Sequence, residues 1–299
     1  MDNRKGLTAA LIITTVIFFV ELIGGLISNS LALTSDAGHV LTDAMALILA
    51  LLATIFATRP ATKERTFGFY RLEILSSLFN GSFLTIIAIY IFYQAYQRFV
   101  NPTEVQSGLM LIIAFIGLLA NALAALILAR TSRENLNMRG AFLHVLSDMG
   151  ASVGVIIGGI IIYFTKLYIV DPILGVLIGV LILKGALDLI YESANILLEA
   201  APVGVKVEEV ASTIREIKGV KDIHDLHVWA ITSGMNSISA HLVINDSETE
   251  RASEILKEIN AGLKTKYKIT HSTFQTECAS CPEGLICKME QTEREPHEH

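Results

Sequence analysis

Along the first two thirds of the chain the apolar residues neither alternate nor keep to one helical face; they run on. Six stretches come close to or exceed the roughly 20 apolar residues that cross a hydrocarbon core: Leu7–Ile27, Leu31–Ala57, Ile74–Gln97, Gly108–Ala129, Leu143–Thr165 and Pro172–Ile190. Each predicts a transmembrane helix, because only a helix or a closed barrel satisfies the backbone inside lipid. After Pro202 the pattern changes to shorter periodic segments. They predict a helix over Val205–Lys218, strands over Val220–Ile231 and Ser237–Asn245, a helix over Glu250–Lys266 and a strand over Lys268–Glu277. The order αββαβ suits a small open sheet with two helices on one face. The expected fold is therefore an α-helical membrane protein with six transmembrane helices plus a small cytoplasmic α+β domain. Residues 1–201 form the membrane part, 202–277 the α+β part, and 278–299 an acidic tail containing Cys and His.

Composition agrees with this division. The 299 residues are 52% hydrophobic and only 17% charged, whereas a soluble domain carries roughly 25% charge; disordered and collagen-like chains are excluded. A net charge of −6 gives no basic footprint for nucleic acid. The first apolar run follows Arg4 and Lys5 but exceeds a signal peptide's core, and a second run follows at once, so it reads as a retained helix. Basic residues mark the cytoplasmic side. Arg4 and Lys5 precede span 1; Arg59, Lys63, Arg65 and Arg71 separate spans 2 and 3; Arg130, Arg133 and Arg139 separate spans 4 and 5. The opposite loops hold only Arg98, at an edge, and Lys166. Both termini are expected in the cytoplasm, and three cysteines confined to the tail fit a reducing compartment.

Ionisable side chains inside spans are functional hypotheses by default. Span 2 contains His39 and Asp43, span 5 contains His144 and Asp148, each pair four residues apart. Four residues advance a helix by about one turn and ~6 Å, so each pair shares a face. A single pair could be a structural hydrogen-bonding group between helices; two pairs turned toward each other offer a tetrahedral nitrogen and oxygen set. Such a set suits Zn²⁺ and fits poorly the hard cations that take six or more oxygens. Other polar residues in the spans read as packing groups: Glu21, Asn80, Asn121 and Ser152, with Asp36 a helix cap or an aid to metal release. Gly154 and Gly158 are expected to permit close helix contact.

Several segments together resemble the zinc-type branch of the cation diffusion facilitator family. They are Ser35-Asp-Ala-Gly-His39-Val-Leu-Thr-Asp43, Thr66-Phe-Gly-Phe-Tyr-Arg-Leu-Glu-Ile-Leu75 and Asn137-Met-Arg-Gly-Ala-Phe-Leu-His144-Val-Leu-Ser-Asp148, with Asp171-Pro172 and Glu192-Ser-Ala-Asn-Ile-Leu-Leu-Glu-Ala200. The likeness covers residues 7–277. It implies a homodimeric metal-ion/proton antiporter with a metallochaperone-like (ferredoxin-like) cytoplasmic domain, and His39, Asp43, His144 and Asp148 match the family's transport site. Tyr70 stands where close relatives place a histidine, which puts an accessory site in that loop in doubt. The loop between spans 4 and 5 lacks a histidine-rich insertion, which favours a prokaryotic-type protein of the cell (inner) membrane.

In the α+β part, alternation turns Ile238, Ala240, Leu242 and Ile244 toward the helices. It leaves Ser239, His241 and Val243 on the open face, and groups His271, Thr273, Gln275 and Glu277 on one face of the last strand. The resemblance matches His224, His241 and His271 to cytoplasmic, regulatory metal positions, with Gln275 or Glu277 completing the shell. Strict alternation sets His227 on the opposite face from His224. Cys278, Cys281 and Cys287 form a CxxC with a third thiol, suggesting soft-metal capture. The expected function is efflux of Zn²⁺, with Cd²⁺ or Co²⁺ as further cargo, by proton antiport. Two rival functions fit less well: a membrane-anchored metal sensor, which needs no ligands in mid-membrane, and an intramembrane zinc hydrolase, which needs a general base and an open coordination position that the sequence does not offer. The chain is not expected to be an enzyme.

Overall fold

A computed structural model describes residues 3–57, 61–131, 136–245, 250–277 and 285. The chain divides into two compact units, Met1–Tyr191 and Glu192–His299.

The N-terminal unit is built from α1 (Asn3–Ser28), α2 (Leu31–Ala57), α3 (Arg71–Val100), α4 (Ser107–Thr131), α5 (Leu136–Thr165) and α6 (Val170–Leu197). Most of these helices run past the apolar stretches that predict them, because a helix continues through polar ends wherever water or capping groups satisfy its last turns. Among the described residues, four stretches are long and apolar enough to cross a membrane: Arg71–Val100, Ser107–Leu126, Asp148–Thr165 and Val170–Leu197. Thr14–Ser28 of α1 is a shorter apolar helix. α1 packs on α2 and α4, α2 also on α3 and α5, and α4 on α5. Leu84, Ala88 and Ile91 of α3 share a buried cluster with Ile178, Ile182 and Ala186 of α6. Large apolar side chains such as Ile86, Leu126, Phe164 and Leu181 are exposed, a surface that hydrocarbon would cover.

A small-residue contact is found at one of the two expected glycines. A Cβ on Gly158 would press on the end of the Leu174 side chain of α6, which would have to shift, so α5 and α6 pack closely there; Gly154 has open space instead.

The turn between α1 and α2 is set by Asn29, in the left-handed region at φ 55°. Ser30 then caps α2, its Oγ accepting from the Leu33 N–H at 3.2 Å. Asp171, at the start of α6, completes the cap: it accepts from the N–H groups of Leu31 (2.7 Å) and Ala32 (3.1 Å) and from Ser30 Oγ (2.6 Å). The cap expected at Asp36 is thus supplied by Ser30 and Asp171. Asp36 lies in the second turn of α2, past the orphan amides of the helix start, and is buried.

The C-terminal unit runs α7 (Val207–Arg215), β1 (Val220–Thr232), β2 (Met235–Ile244), α8 (Ala252–Tyr267) and β3 (Ile269–Glu277). β1 and β2 form a hairpin whose tight turn contains Gly234 at φ 76°, and β2 pairs parallel with β3, giving the order β1-β2-β3. Val210 and Ile214 of α7 and Ile255, Ile259 and Leu263 of α8 bury against Ile223, Leu226, Val228, Ile238 and Leu242 of the sheet. The helices are shorter at both ends or shifted by one or two residues from the periodic pattern, because Lys268, left-handed at φ 56°, ends α8 and extended Lys206 delays α7.

Candidate metal centres

α2 presents His39 and Asp43 one turn apart, and α5, packed against it, presents Asp148. His39 Nε2 lies 3.1 Å from Asp148 Oδ1. One ligand atom from each of His39, Asp43 and Asp148 falls within 4.8 Å of the others. Ligands around a tetrahedral ion with bonds of about 2.0–2.2 Å sit about 3.3–3.6 Å from one another, so small side-chain adjustments bring this trio to coordination distance. His144 is on α5 one turn before Asp148; its side chain lies outside the described ones.

The second cluster stands on the open face of the C-terminal sheet. His224 on β1 is paired in register with His241 on β2, and Glu277 on β3 with Val243, next to them. His224 Nε2 is 3.3 Å from Glu277 Oε2 and His241 Nδ1 is 3.1 Å from Glu277 Oε1. The three ligand atoms lie within 4.8 Å of one another. His224 is buried, and its Nδ1 has no hydrogen-bond partner among the described residues. Of the expected alternatives, Glu277 enters the cluster while Gln275 supports it, donating from Nε2 to Glu277 Oε1 at 2.9 Å. His271 shares the face but stands four register positions from the His241 pair, exposed and opposite Ser237; it is not brought into this cluster.

The expectation for His227 is corrected. A bulge between His224 and His227 inserts Asp225, left-handed at φ 48°, so His224 pairs with His241 and His227 with Ser239, and both histidines face the same way. Asp225 Oδ1 is 3.1 Å from His227 Nε2, and its Oδ2 is 3.7 Å from His241 Nε2. This carboxylate beside the cluster was missed from sequence. The signal was present: the buried apolar residues Ile223 and Leu226 are three apart where a regular strand places them two apart. Next to the bulge, the Leu226 N–H donates to the Leu285 carbonyl at 2.9 Å, pinning one residue of the tail to β1. Cys278, Cys281 and Cys287 lie outside the described residues.

Comparison with known proteins decides the family. The model of the cation efflux transmembrane domain matches residues 7–198, and that of the cation efflux protein cytoplasmic domain matches residues 202–279. The chain belongs to the cation efflux (cation diffusion facilitator) family. The resemblance read from its motifs holds, and the protein is a transporter and not an enzyme. This transporter is 40% identical to the cadmium, cobalt and zinc/H(+)-K(+) antiporter of Bacillus subtilis over 99% of its own length and 97% of the relative's. It is 44% identical to the metal cation efflux system protein CzcD of Cupriavidus metallidurans, covering 94% of this chain and 89% of the relative. The zinc transporter ZitB of Escherichia coli is 41% identical with the same coverage, 94% and 89%.

Proposed function

We propose that this transporter exports Zn²⁺, with Cd²⁺ and Co²⁺ as further cargo, in exchange for protons, and that His39, Asp43, His144 and Asp148 form the intramembrane site. The observation that carries the reading is the convergence of His39, Asp43 and Asp148 from two helices within 4.8 Å. Relatives named as zinc, cadmium and cobalt transporters, one of them a proton antiporter, support the cargo and the coupling. Two carboxylates offset the charge of a dication in a low-dielectric setting, and imidazole nitrogen favours zinc over harder ions. Coupling follows from the donors: a histidine binds metal only when neutral and a carboxylate only when ionised, so metal and proton compete for the same atoms.

In this reading residues 1–201 cross an inner or cell membrane six times with both termini in the cytoplasm. Residues 202–277 form a cytoplasmic domain that pairs two copies of the chain, supported by the family match over residues 202–279. His224, His241 and Glu277, with Asp225 alongside, bind a regulatory metal there; His271 flanks that site, and the tail thiols Cys278, Cys281 and Cys287 add soft-metal capture.

Zinc flux into vesicles reconstituted with the purified protein tests the site. Asp43→Ala and Asp148→Ala, shown to be folded and inserted, should each lose nearly all transport. Wild-type flux from either variant overturns the assignment.

A further inference from the structure

One buried acid in the N-terminal unit has no part in the metal site. Glu21 on α1 is 1% exposed, and its Oε2 has no hydrogen-bond partner among the described residues. Its other oxygen presses on α4 where that helix has no side chain: a Cβ on Gly117 would lie 2.6 Å from Glu21 Oε1. α1 packs on α2, and the carboxylates Asp36 and Asp43 of α2 and Asp148 of α5 repel a charge on Glu21; the titratable His39 of α2 stands among them, 3.1 Å from Asp148. An apolar groove between α1 and α4, lined by Val16, Val20, Ile116 and Ala120, reaches the same carboxyl group.

Asp43 and Asp148 balance a bound dication, which leaves Glu21 and buried Asp36 in excess. When the metal leaves, protons on His39 and His144 offset at most two of the four carboxylates, and keeping the rest ionised in a setting poor in water is costly. Glu21 is one whose charged form would leave a buried oxygen without a hydrogen bond among the described residues.

We propose that Glu21 carries one of the exchanged protons from a position outside the metal's coordination shell. This rests on the transport reading above and adds a second proton acceptor to the ligands themselves. As Zn²⁺ enters, its charge offsets the field of Asp36, Asp43 and Asp148, and the Glu21 carboxylic acid releases H⁺ to become a carboxylate. As Zn²⁺ leaves, the repulsion returns and the carboxylate takes up H⁺ from the other side. No bond to the metal is formed, so Glu21 couples through charge and not through coordination.

The test counts protons released when zinc binds to the full-length protein in detergent, by titration calorimetry in two buffers of different ionisation enthalpy. Contributions of the cytoplasmic histidines are common to all variants and cancel. Glu21→Gln keeps the shape of the acid, and should still bind zinc while releasing about one proton fewer per transport-site ion; Glu21→Asp should restore the count. A purely structural role predicts an unchanged count in Glu21→Gln, and that result overturns the proposal while leaving the transport reading intact. Absence of any zinc-linked proton release in the wild type would instead overturn the transport reading and this proposal with it. Should Glu21→Gln not fold, the wild type is treated with dicyclohexylcarbodiimide, an apolar reagent that adds to a protonated carboxyl group to give an acylurea. Mass spectrometry should find the adduct on Glu21, suppressed at least several-fold by prior zinc; no adduct, or labelling indifferent to zinc, contradicts the proposal.

Discussion

Arg98, on the last turn of α3, holds Asp171, the second residue of α6, with Nη1 3.1 Å from Oδ2. The same Arg98 Nη1 donates to the Asn29 carbonyl at 2.6 Å, and Nη2 to Asn29 Oδ1 at 3.1 Å. Because Asp171 also caps α2, one fully buried carboxylate joins the starts of α2 and α6, the end of α3 and the turn leaving α1. The start of α2, two turns from His39, is thereby fixed to three neighbours.

Asp171→Asn should therefore destabilise the protein strongly. It takes the counter-ion from Arg98, whose side chain is part-buried, and weakens the cap of α2, and losing hydrogen bonds to a charged group costs about 1.5–3 kcal/mol. The thermal midpoint in detergent should fall clearly below wild type, and an unchanged midpoint would show that the pair adds nothing.

Metal choice should follow the nitrogen donors. His39→Asp replaces imidazole by a third carboxylate beside Asp43 and Asp148, and an all-oxygen set takes harder ions. Competition in a flux assay should show Mn²⁺ gaining on Zn²⁺ by about tenfold or more; an unchanged order of preference counts against His39 as a ligand.

The bulge residue separates backbone from side chain. Asp225 sits at φ 48°, which glycine adopts without cost and alanine does not. Asp225→Gly should keep the register that faces His224, His227 and His241 alike while removing the carboxylate, whereas Asp225→Ala should also lower stability by about 1 kcal/mol. His241→Ala should shift the zinc dependence of transport and leave flux at saturating zinc. Complete loss of flux in a folded His241→Ala dimer would put His241 on the transport path.

Acid sensitivity of the C-terminal unit has one identifiable source at Asp222. Partial burial works to raise this carboxyl, but hydrogen bonds from the Ile223 N–H and from Arg215 outweigh it and hold the group below its usual range. A depressed value in the folded state means the stabilisation is present above the unfolded value of about 3.9 and is lost as pH falls through the folded value. The pair is well exposed, so the effect is small. Asp222→Asn should melt below wild type at pH 7, and the gap should narrow as pH falls below about 3.9; a gap that persists undiminished in acid assigns the effect to shape and not charge.

What could be read from sequence follows from periodicity. Long apolar runs announce the helices of the N-terminal unit, and the HxxxD spacings in Leu31–Ala57 and Leu136–Thr165 announce a shared face, because a helix carries residues four apart to the same side whatever surrounds it. Irregular backbone was harder. Strict alternation through His224-Asp225-Leu226-His227 sets His227 on the wrong side, since one left-handed residue reverses every side chain after it. Long-range pairs were hardest: Arg98 reads as a stray cation at a loop edge and Asp171 as part of a motif, and nothing in either neighbourhood says that they meet. Glu21 reads as a packing residue because only the fold reveals which charges surround it.

In an antiporter of this kind, metal and protons move in opposite directions through one site. Vesicles reconstituted with the wild type and loaded with one dye for zinc and another for pH test it directly. Zinc added outside without a pH gradient should enter while the interior turns alkaline as protons leave, an outward-directed proton gradient should accelerate entry, and both signals should vanish in Asp148→Ala. Zinc entry that ignores the imposed gradient and moves no protons would contradict antiport and leave a passive metal pathway in its place.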